Sequence, residues 1–448
     1  MSGDKLPKNE EYVNPLLRRG GHKQGAKLPK NEEYVNRIIA RAKELKVLDA
    51  FAAPKRQVGM AVSAAQAKAT TAMHARNSRR ITVAFVVALI VVILVSLCLP
   101  YRGVNVMGGA GSHYSPTEVL AGYALWFRLN VMTLFDSSLA SQNTAEINNF
   151  AALYGAEAYT YIINRVVITF LVILCGIMLA LAGALFQTTF RNPIAAPTML
   201  GASDGVTLGG VVYTMLGYEV AASNPGLYAI LVYGCGALTV AVVMLLSRVM
   251  SGGKRYSVLD MLLLGTVICQ LVGGINQFVQ YFVMTDDQWD NFYNIQQATD
   301  ALTEPVLQVV AIVLFVVTFF FAFRLRFKFN LVAFSDEEAT LMGIRPGVLR
   351  TVALVLGSAM VLAAMATVGQ VAMLSLAVPF LVRYLFPADF RIQFLGNCLV
   401  GSLILLVCMV FQHFIVAGFI TLPLGTIVSV IIVPFFVWVV ALSQGRWN

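Results

Sequence analysis

Residues 81–99 carry no charged side chain, and only Thr82 and Ser96 interrupt them with hydroxyl groups. A run of about 18 or more apolar residues covers roughly 30 Å of hydrocarbon as a helix, so this stretch predicts a membrane crossing. Comparable stretches recur at 166–188, 195–217, 226–247, 257–283, 305–323, 351–369, 371–386, 393–416 and 424–442, about ten crossings with the first. The stretch at 371–386 is short, and that at 195–217 is interrupted by Gly201-Ala202-Ser203-Asp204-Gly205. Composition agrees: the chain is 58% hydrophobic and 12% charged, whereas soluble domains run near 25% charged. The expected fold is an all-α integral membrane protein of about ten transmembrane helices.

The formal charge of +9 sits in one place. Residues 1–80 hold 17 Lys and Arg against 7 Asp and Glu, and the other 368 residues hold 15 against 16. A basic segment before a first apolar span holds an N-terminus in the cytoplasm, and it is attracted to anionic lipid. It lacks the aromatic or recognition-helix context of a nucleic-acid binder, so no nucleic-acid partner is expected. Nor does it have the compact layout of a cleaved signal peptide. The domain reading is a basic cytoplasmic tail at 1–80, expected to be mobile, a transmembrane domain at 81–442 and a cytoplasmic C-terminus at 443–448. Within the tail, residues 5–14 recur without change as residues 27–36; two short copies cannot stack into a solenoid. Residues 37–51 suit a short amphipathic helix on the membrane surface.

Ten crossings threaded with the tail inside place twelve Lys and Arg in inside loops, against Arg102, Arg128 and Arg165 outside. That asymmetry is the one expected of both termini in the cytoplasm. The acidic loop at 284–304 then lies outside. An outer segment at 101–164 carries an apolar patch at 119–135 suited to the membrane surface. The charged segment at 324–350 becomes the one sizeable cytoplasmic loop.

Enzyme chemistry is not indicated. No Gly-x-x-x-x-Gly-Lys-Ser/Thr loop is present to cradle nucleotide phosphates. The four histidines are scattered, and the six cysteines lie singly in apolar stretches, where they behave as small hydrophobes. Neither a catalytic nor a metal role is expected of them. Asp204 is the one acid well inside a predicted span, whereas ion-driven carriers keep several ionisable groups at bilayer depth. Energy for any transport is therefore expected from a partner.

The segment Gly176-Ile-Met-Leu-Ala-Leu-Ala-Gly183-Ala-Leu-Phe-Gln187-Thr-Thr-Phe-Arg191-Asn192-Pro193-Ile-Ala-Ala-Pro197-Thr-Met-Leu-Gly201-Ala-Ser-Asp-Gly205 resembles the second-span signature of FecCD-type permeases, the membrane subunits of ABC importers for iron-siderophores, haem and cobalamin. Physically, Gly176, Ala180 and Gly183 form a small-residue face that lets helices approach closely. Pro193 and Pro197 end one helix and restart another. A second segment, Ser335-Asp336-Glu337-Glu338-Ala339-Thr340-Leu341-Met342-Gly343, is similar to the family's short helices that dock in a cleft of the ATPase. Its acids suit a helix N-terminus and Gly343 suits the C-terminal end. Looser matches are Gly369, Pro379, Arg383 and Arg391, then Pro423 with Gly425, and Pro434; phenylalanines stand at 380 and 390 where the family has histidines, and Thr421 stands where it has glutamate.

The resemblance covers about residues 160–442. It implies a type II ABC importer permease that has no ATPase site and binds no cofactor itself. The implied partners are a second permease chain, identical or paralogous, two cytoplasmic ATPase subunits that use ATP and Mg, and an extracytoplasmic binding protein. Arg165 matches a rim arginine that docks that binding protein. The implied location is a bacterial cytoplasmic membrane. An iron chelate is the first expected cargo, with cobalamin or haem as the alternative and an ion-coupled secondary transporter as the competing class.

Overall fold

The computed structural model describes residues 79–98, 101–102, 112–113, 115–130, 143–154, 158–217, 224, 226–250, 258–296, 305–332, 336–371, 373–412 and 423–447. The duplicated segment, the amphipathic stretch at 37–51 and Ser335 lie outside the described residues. The first element among the described residues is helix α1, Arg79–Cys98. A pair of two-residue antiparallel strands follows, β1 (Tyr101–Arg102) and β2 (Ser112–His113), a small departure from the all-α expectation. Every other element among the described residues is helical: α2 (Pro116–Asn130), α3 (Asn143–Tyr154), α4 (Ala158–Phe190), a 3-10 turn (Pro197–Leu200), α5 (Ala202–Met215), α6 (Leu227–Met250), α7 (Val258–Phe282), α8 (Asp286–Gln296), α9 (Pro305–Val332), α10 (Asp336–Leu341), α11 (Pro346–Val368), α12 (Leu374–Leu385), α13 (Phe390–Phe411) and α14 (Leu424–Trp447).

Seven of these are long and apolar enough to cross a membrane: α1, α4, α6, the Leu263–Phe282 part of α7, α9, α11 and α13. The other three expected crossings fall on α5, α12 and α14. With 14 and 12 residues, α5 and α12 reach only about 21 and 18 Å at the helical rise of about 1.5 Å per residue. They are not full spans by themselves. The break expected within 201–205 is a single residue: Gly201, at φ 77, ends the 3-10 turn in the left-handed region and starts α5. Asp204 therefore lies in the first turn of a helix rather than in a break.

Two further boundaries differ from expectation. Helix α9 runs on through Arg324, Arg326 and Lys328 to Val332, because nothing breaks it and Arg326 lays its guanidinium 3.6 Å from the Phe323 ring centre. The segment after it is correspondingly shorter. Helix α14 likewise runs to Trp447, through residues expected to form a separate terminus. The acidic stretch after α7 is itself helical. Thr285 and Gln288 start α8 with a reciprocal cap, each backbone N–H donating to the other's side chain at 3.1 and 3.4 Å. Ser115 and Glu118 start α2 in the same way, just ahead of the apolar patch of the outer segment.

Helix α4 is the hub, packed against α9, α11, α12 and α13. The small-residue face does what its spacing predicts. A Cβ on Gly176 would lie 2.5 Å from the Gly401 carbonyl oxygen of α13, and one on Gly401 would meet Gly176 in return. A Cβ on Gly183 would land on the Ser375 carbonyl of α12 and come within 2.9 Å of the Pro379 ring. The most buried apolar stretches are those of α11 and α4, 78% and 67% buried, while those of α1 and α7 are 6% and 11% buried. Helices α2, α3 and the start of α4 share a separate apolar cluster around Val119, Phe150, Ala158 and Ile162.

Candidate functional site

The C-terminal ends of α4 and α9 and the N-terminal ends of α11 and α13 are tied together by hydrogen bonds, and α10 lies among them. Its C-terminal end is finished locally. Ile344 N–H donates to Ala339 at 3.0 Å and Gly343 N–H to Thr340 at 3.0 Å, with Gly343 at φ 81. This is the Schellman arrangement, which requires a residue at ease in the left-handed region. Ala339 is fully buried and Ile344 packs on the core, so this face anchors the helix. Glu337, Glu338, Thr340 and Met342 face outward, and Leu341 is 88% exposed.

Asp336 does more than favour a helix N-terminus. Its carboxylate accepts two bonds from Arg350 of α11, at 2.6 and 3.1 Å, and a third from Arg191 at 3.0 Å. Arg191 Nε also donates to the Val332 carbonyl at the end of α9, at 2.9 Å. Burial alone would raise the Asp336 carboxyl; the hydrogen bonds and charges of Arg350, then of Arg191, outweigh it and hold the group below the ordinary carboxylate range. Asn192 closes the adjoining turn, its side-chain oxygen accepting from Ile194 N–H at 3.0 Å just after Pro193.

A second tie lies on the same face. Asn330 of α9 donates to Asp389 at 2.8 Å and accepts from Phe390 N–H at 2.6 Å, while Asp389 caps α13 by accepting from Arg391 N–H at 2.9 Å. The Arg391 guanidinium contacts the same carboxylate at 2.6 Å. The Arg391 side chain, with Asn330 and the Arg391 backbone adding to it, holds the Asp389 carboxyl at about 2. Since that lies below its ordinary value of about 3.9, the tie is complete above about pH 4 and is lost as pH falls through 2. In detergent, the thermal midpoint should fall by about 1–3 °C more between pH 5 and 2 in the parent than in Asp389→Asn, the scale of a partly exposed pair. Parallel pH profiles for the two proteins would contradict this.

Gln187 links α4 to both halves of α12: its oxygen accepts from Arg383, and its nitrogen donates to the Leu376 carbonyl at 3.0 Å. Pro197 opens the 3-10 turn, and Gly205 packs α5 against α6, where a Cβ would lie 2.5 Å from the Thr239 hydroxyl. Gly369 ends α11. Pro379 and Pro434 lie inside α12 and α14, Pro423 directly precedes α14, and a Cβ on Gly425 would land on the Gln370 carbonyl. These matched positions are spread through the bundle; among them Gly205 and Gly425 lie at close helix contacts.

Arg165 departs from its expected place on a rim. It is 4% exposed and donates from Nε to the Ser96 carbonyl of α1 at 3.1 Å, beside Tyr123, whose hydroxyl donates to Leu97 at 3.0 Å. In this chain its guanidinium is enclosed by α1, α2 and α4, so the rim-docking assignment lacks an exposed group to act through. Conversely, Arg350, Asn330 and Gly401 were not singled out from sequence. The small residues Gly396 and Gly401 on α13 were the available signal for the last of these.

Residues 125–441 match the profile of the FecCD transport family, more than two thirds of the chain. The probable iron chelatin transport system permease protein of Helicobacter pylori is 29% identical over 288 residues, covering 61% of this chain and 80% of that one. The iron-uptake system permease protein FeuB of Bacillus subtilis is 27% identical, covering 62% and 80%. A solved structure described as a metal-chelate type ABC transporter in an inward-facing conformation superposes with a TM-score of 0.60 at 19% identity, covering 81% of this chain and 99% of that one, a likeness of fold. On the family profile, with the helical bundle and the close-packed signature helix that carry it, this chain belongs to the FecCD transport family.

Proposed function

We propose that the chain is the membrane-spanning subunit of an ATP-driven, binding-protein-dependent importer, with an iron chelate as cargo. The observation that carries the energy source is α10: a short helix held rigidly on one side that leaves Leu341 almost fully exposed beside Glu337 and Glu338. A large apolar residue in that setting suits an aliphatic anchor that fills a partner's pocket. The partner implied is an ATPase subunit offering an apolar cleft with a basic rim. ATP and Mg are then used by that subunit, and this chain contributes no catalysis. Two permease chains, identical or paralogous, would enclose the path, and an extracytoplasmic binding protein would deliver cargo. With α5, α12 and α14 counted as crossings beside the seven long spans, the basic asymmetry of the loops supports a bacterial cytoplasmic-membrane location with α10 and both termini inside and α8 outside. The iron chelate follows from the names of the relatives at 27–29% identity; cobalamin or haem is the other cargo to compare.

The test places single cysteines at Leu341 and Asp290. An impermeant thiol reagent applied to intact cells should label position 290 and spare 341. In membranes containing the ATPase, position 341 should cross-link to it, and uptake should stop when hydrolysis is blocked. Uptake that persists without hydrolysis would favour an ion-coupled carrier and overturn the reading.

A further inference from the structure

We propose that Asp336 is the relay joint of this permease: one carboxylate that locks α10 to α4, α9 and α11, so that force received at Leu341 is delivered to the hub helix. The inference rests on the reading of α10 as the element that meets the ATPase, and goes beyond it by naming how the movement is passed on.

Three observations converge on this role. A six-residue helix has no stability of its own, and α10 buries only Ala339 on its inner face. Its orientation must therefore be set by tertiary ties. Beside the packing of Ala339 and Ile344, the Asp336 carboxylate carries three of these ties, the paired donors of Arg350 and a third donor from Arg191. A bidentate guanidinium–carboxylate pair fixes direction as well as distance.

Arg191 supplies the second half of the joint, because one guanidinium holds Asp336 and the Val332 carbonyl at once. It sits at the end of α4 and is the one non-glycine residue at positive φ among those described, at 50°. Such a conformation is uncommon for arginine and persists where surrounding contacts hold it.

The third observation is where the joint leads. Four residues N-terminal to Arg191, Gln187 connects α4 to Arg383 and to the Leu376 carbonyl of α12. Further along the same helix, Gly183 and Gly176 lie against the backbones of α12 and α13 without intervening side chains. A displacement of α10 thus meets no compliant layer before the centre of the bundle. The joint is partly exposed, with side-chain exposures of 24%, 36% and 16% for Asp336, Arg191 and Arg350. Exposed ion pairs add little to stability, so the joint acts on geometry and coupling.

The test uses the full complex in proteoliposomes, with transported cargo per ATP hydrolysed as the readout. Two controls accompany it: cross-linking of Leu341→Cys to the ATPase, and the thermal midpoint. Asp336→Asn keeps the side-chain shape and removes the charge. It should keep the cross-link and a midpoint within a few degrees of the parent, and lower cargo per ATP at least tenfold. Arg350→Lys keeps the charge without the fork and should lower it severalfold. Combining Asp336→Asn with Arg350→Met should be no worse than the poorer single change, as for two halves of one device. Parent-like cargo per ATP in Asp336→Asn, or additive losses in the double variant, would overturn the joint while leaving α10 as the docking element. If Asp336→Asn loses the cross-link, the carboxylate serves docking rather than relay, and the proposal also falls. Absence of the cross-link in the parent sequence would instead remove the reading of α10 itself, and the joint with it. If Asp336→Asn does not insert, Arg350→Lys decides by the same readouts.

Discussion

Replacing Gly183 by valine should strongly destabilise the protein and lower the yield of folded material. A Cβ at this position would land on the Ser375 carbonyl and press on the Pro379 ring, both belonging to α12. Neither can rotate aside as the end of a flexible side chain would. Overpacking a core costs about 1–3 kcal/mol where neighbours can adjust, and here a whole helix must shift, so the upper end or more is expected. Against a stability of roughly 5–15 kcal/mol, a loss of about 3 kcal/mol lowers the folded-to-unfolded ratio by about a hundredfold. It would also pull apart the bonds from Gln187 to α12. Gly176→Val should act in the same direction through Gly401. Gly234 of α6 is the control, since a Cβ there meets nothing within 4 Å; alanine at that site should be neutral or slightly stabilising through helix propensity. The measurement is the monodisperse fraction after detergent extraction, with its thermal midpoint. Parent-like behaviour of Gly183→Val would mean that α4 and α12 do not approach as closely as described.

Gly343→Pro should remove uptake while leaving insertion intact. Gly343 sits at φ 81 and donates its N–H to Thr340. Proline holds φ near about −65° and has no N–H, so it can supply neither. The turn that ends α10 would reorganise, and Leu341, two residues earlier, would be presented elsewhere. Uptake by the assembled complex should fall to background, together with stimulation of hydrolysis by loaded binding protein. Gly343→Asn is the discriminating companion: asparagine tolerates the left-handed region at a helix C-terminus, so it should keep a substantial share of uptake. The bundle itself does not depend on this position, because a Cβ at Gly343 meets nothing within 4 Å. Normal stimulated uptake in Gly343→Pro would show that the shape of α10 is immaterial to energisation.

The features readable from sequence were those decided within one segment. Apolar runs specified the helices of the bundle because a helix closes its hydrogen bonds inside its own segment, whatever surrounds it. The pair Pro193 and Pro197 located the end of α4 and the start of the 3-10 turn, and Gly343 located the end of α10, since backbone restrictions act locally. Where a boundary depended on charge it was misplaced: Arg324, Arg326 and Lys328 suggested a loop, yet long basic side chains can lie along a helix that continues past the apolar core.

What only the tertiary structure decided was partnership across the chain. Asp336 meets Arg191, 145 residues away, and Gln187 meets Arg383, 196 residues away, and no local pattern encodes either distance. The enclosure of Arg165 by α1, against its expected place on a rim, is of the same kind. So is the choice of hub. Among the described residues, α1 is the most hydropathic candidate span, at 3.2, and the least buried, at 6%, while α11 has a hydropathy of 2.1 and is 78% buried. Hydropathy cannot rank these helices, because lipid tails and a protein interior are equally apolar environments for a side chain. The choice of hub was made by glycines small enough to let backbones touch.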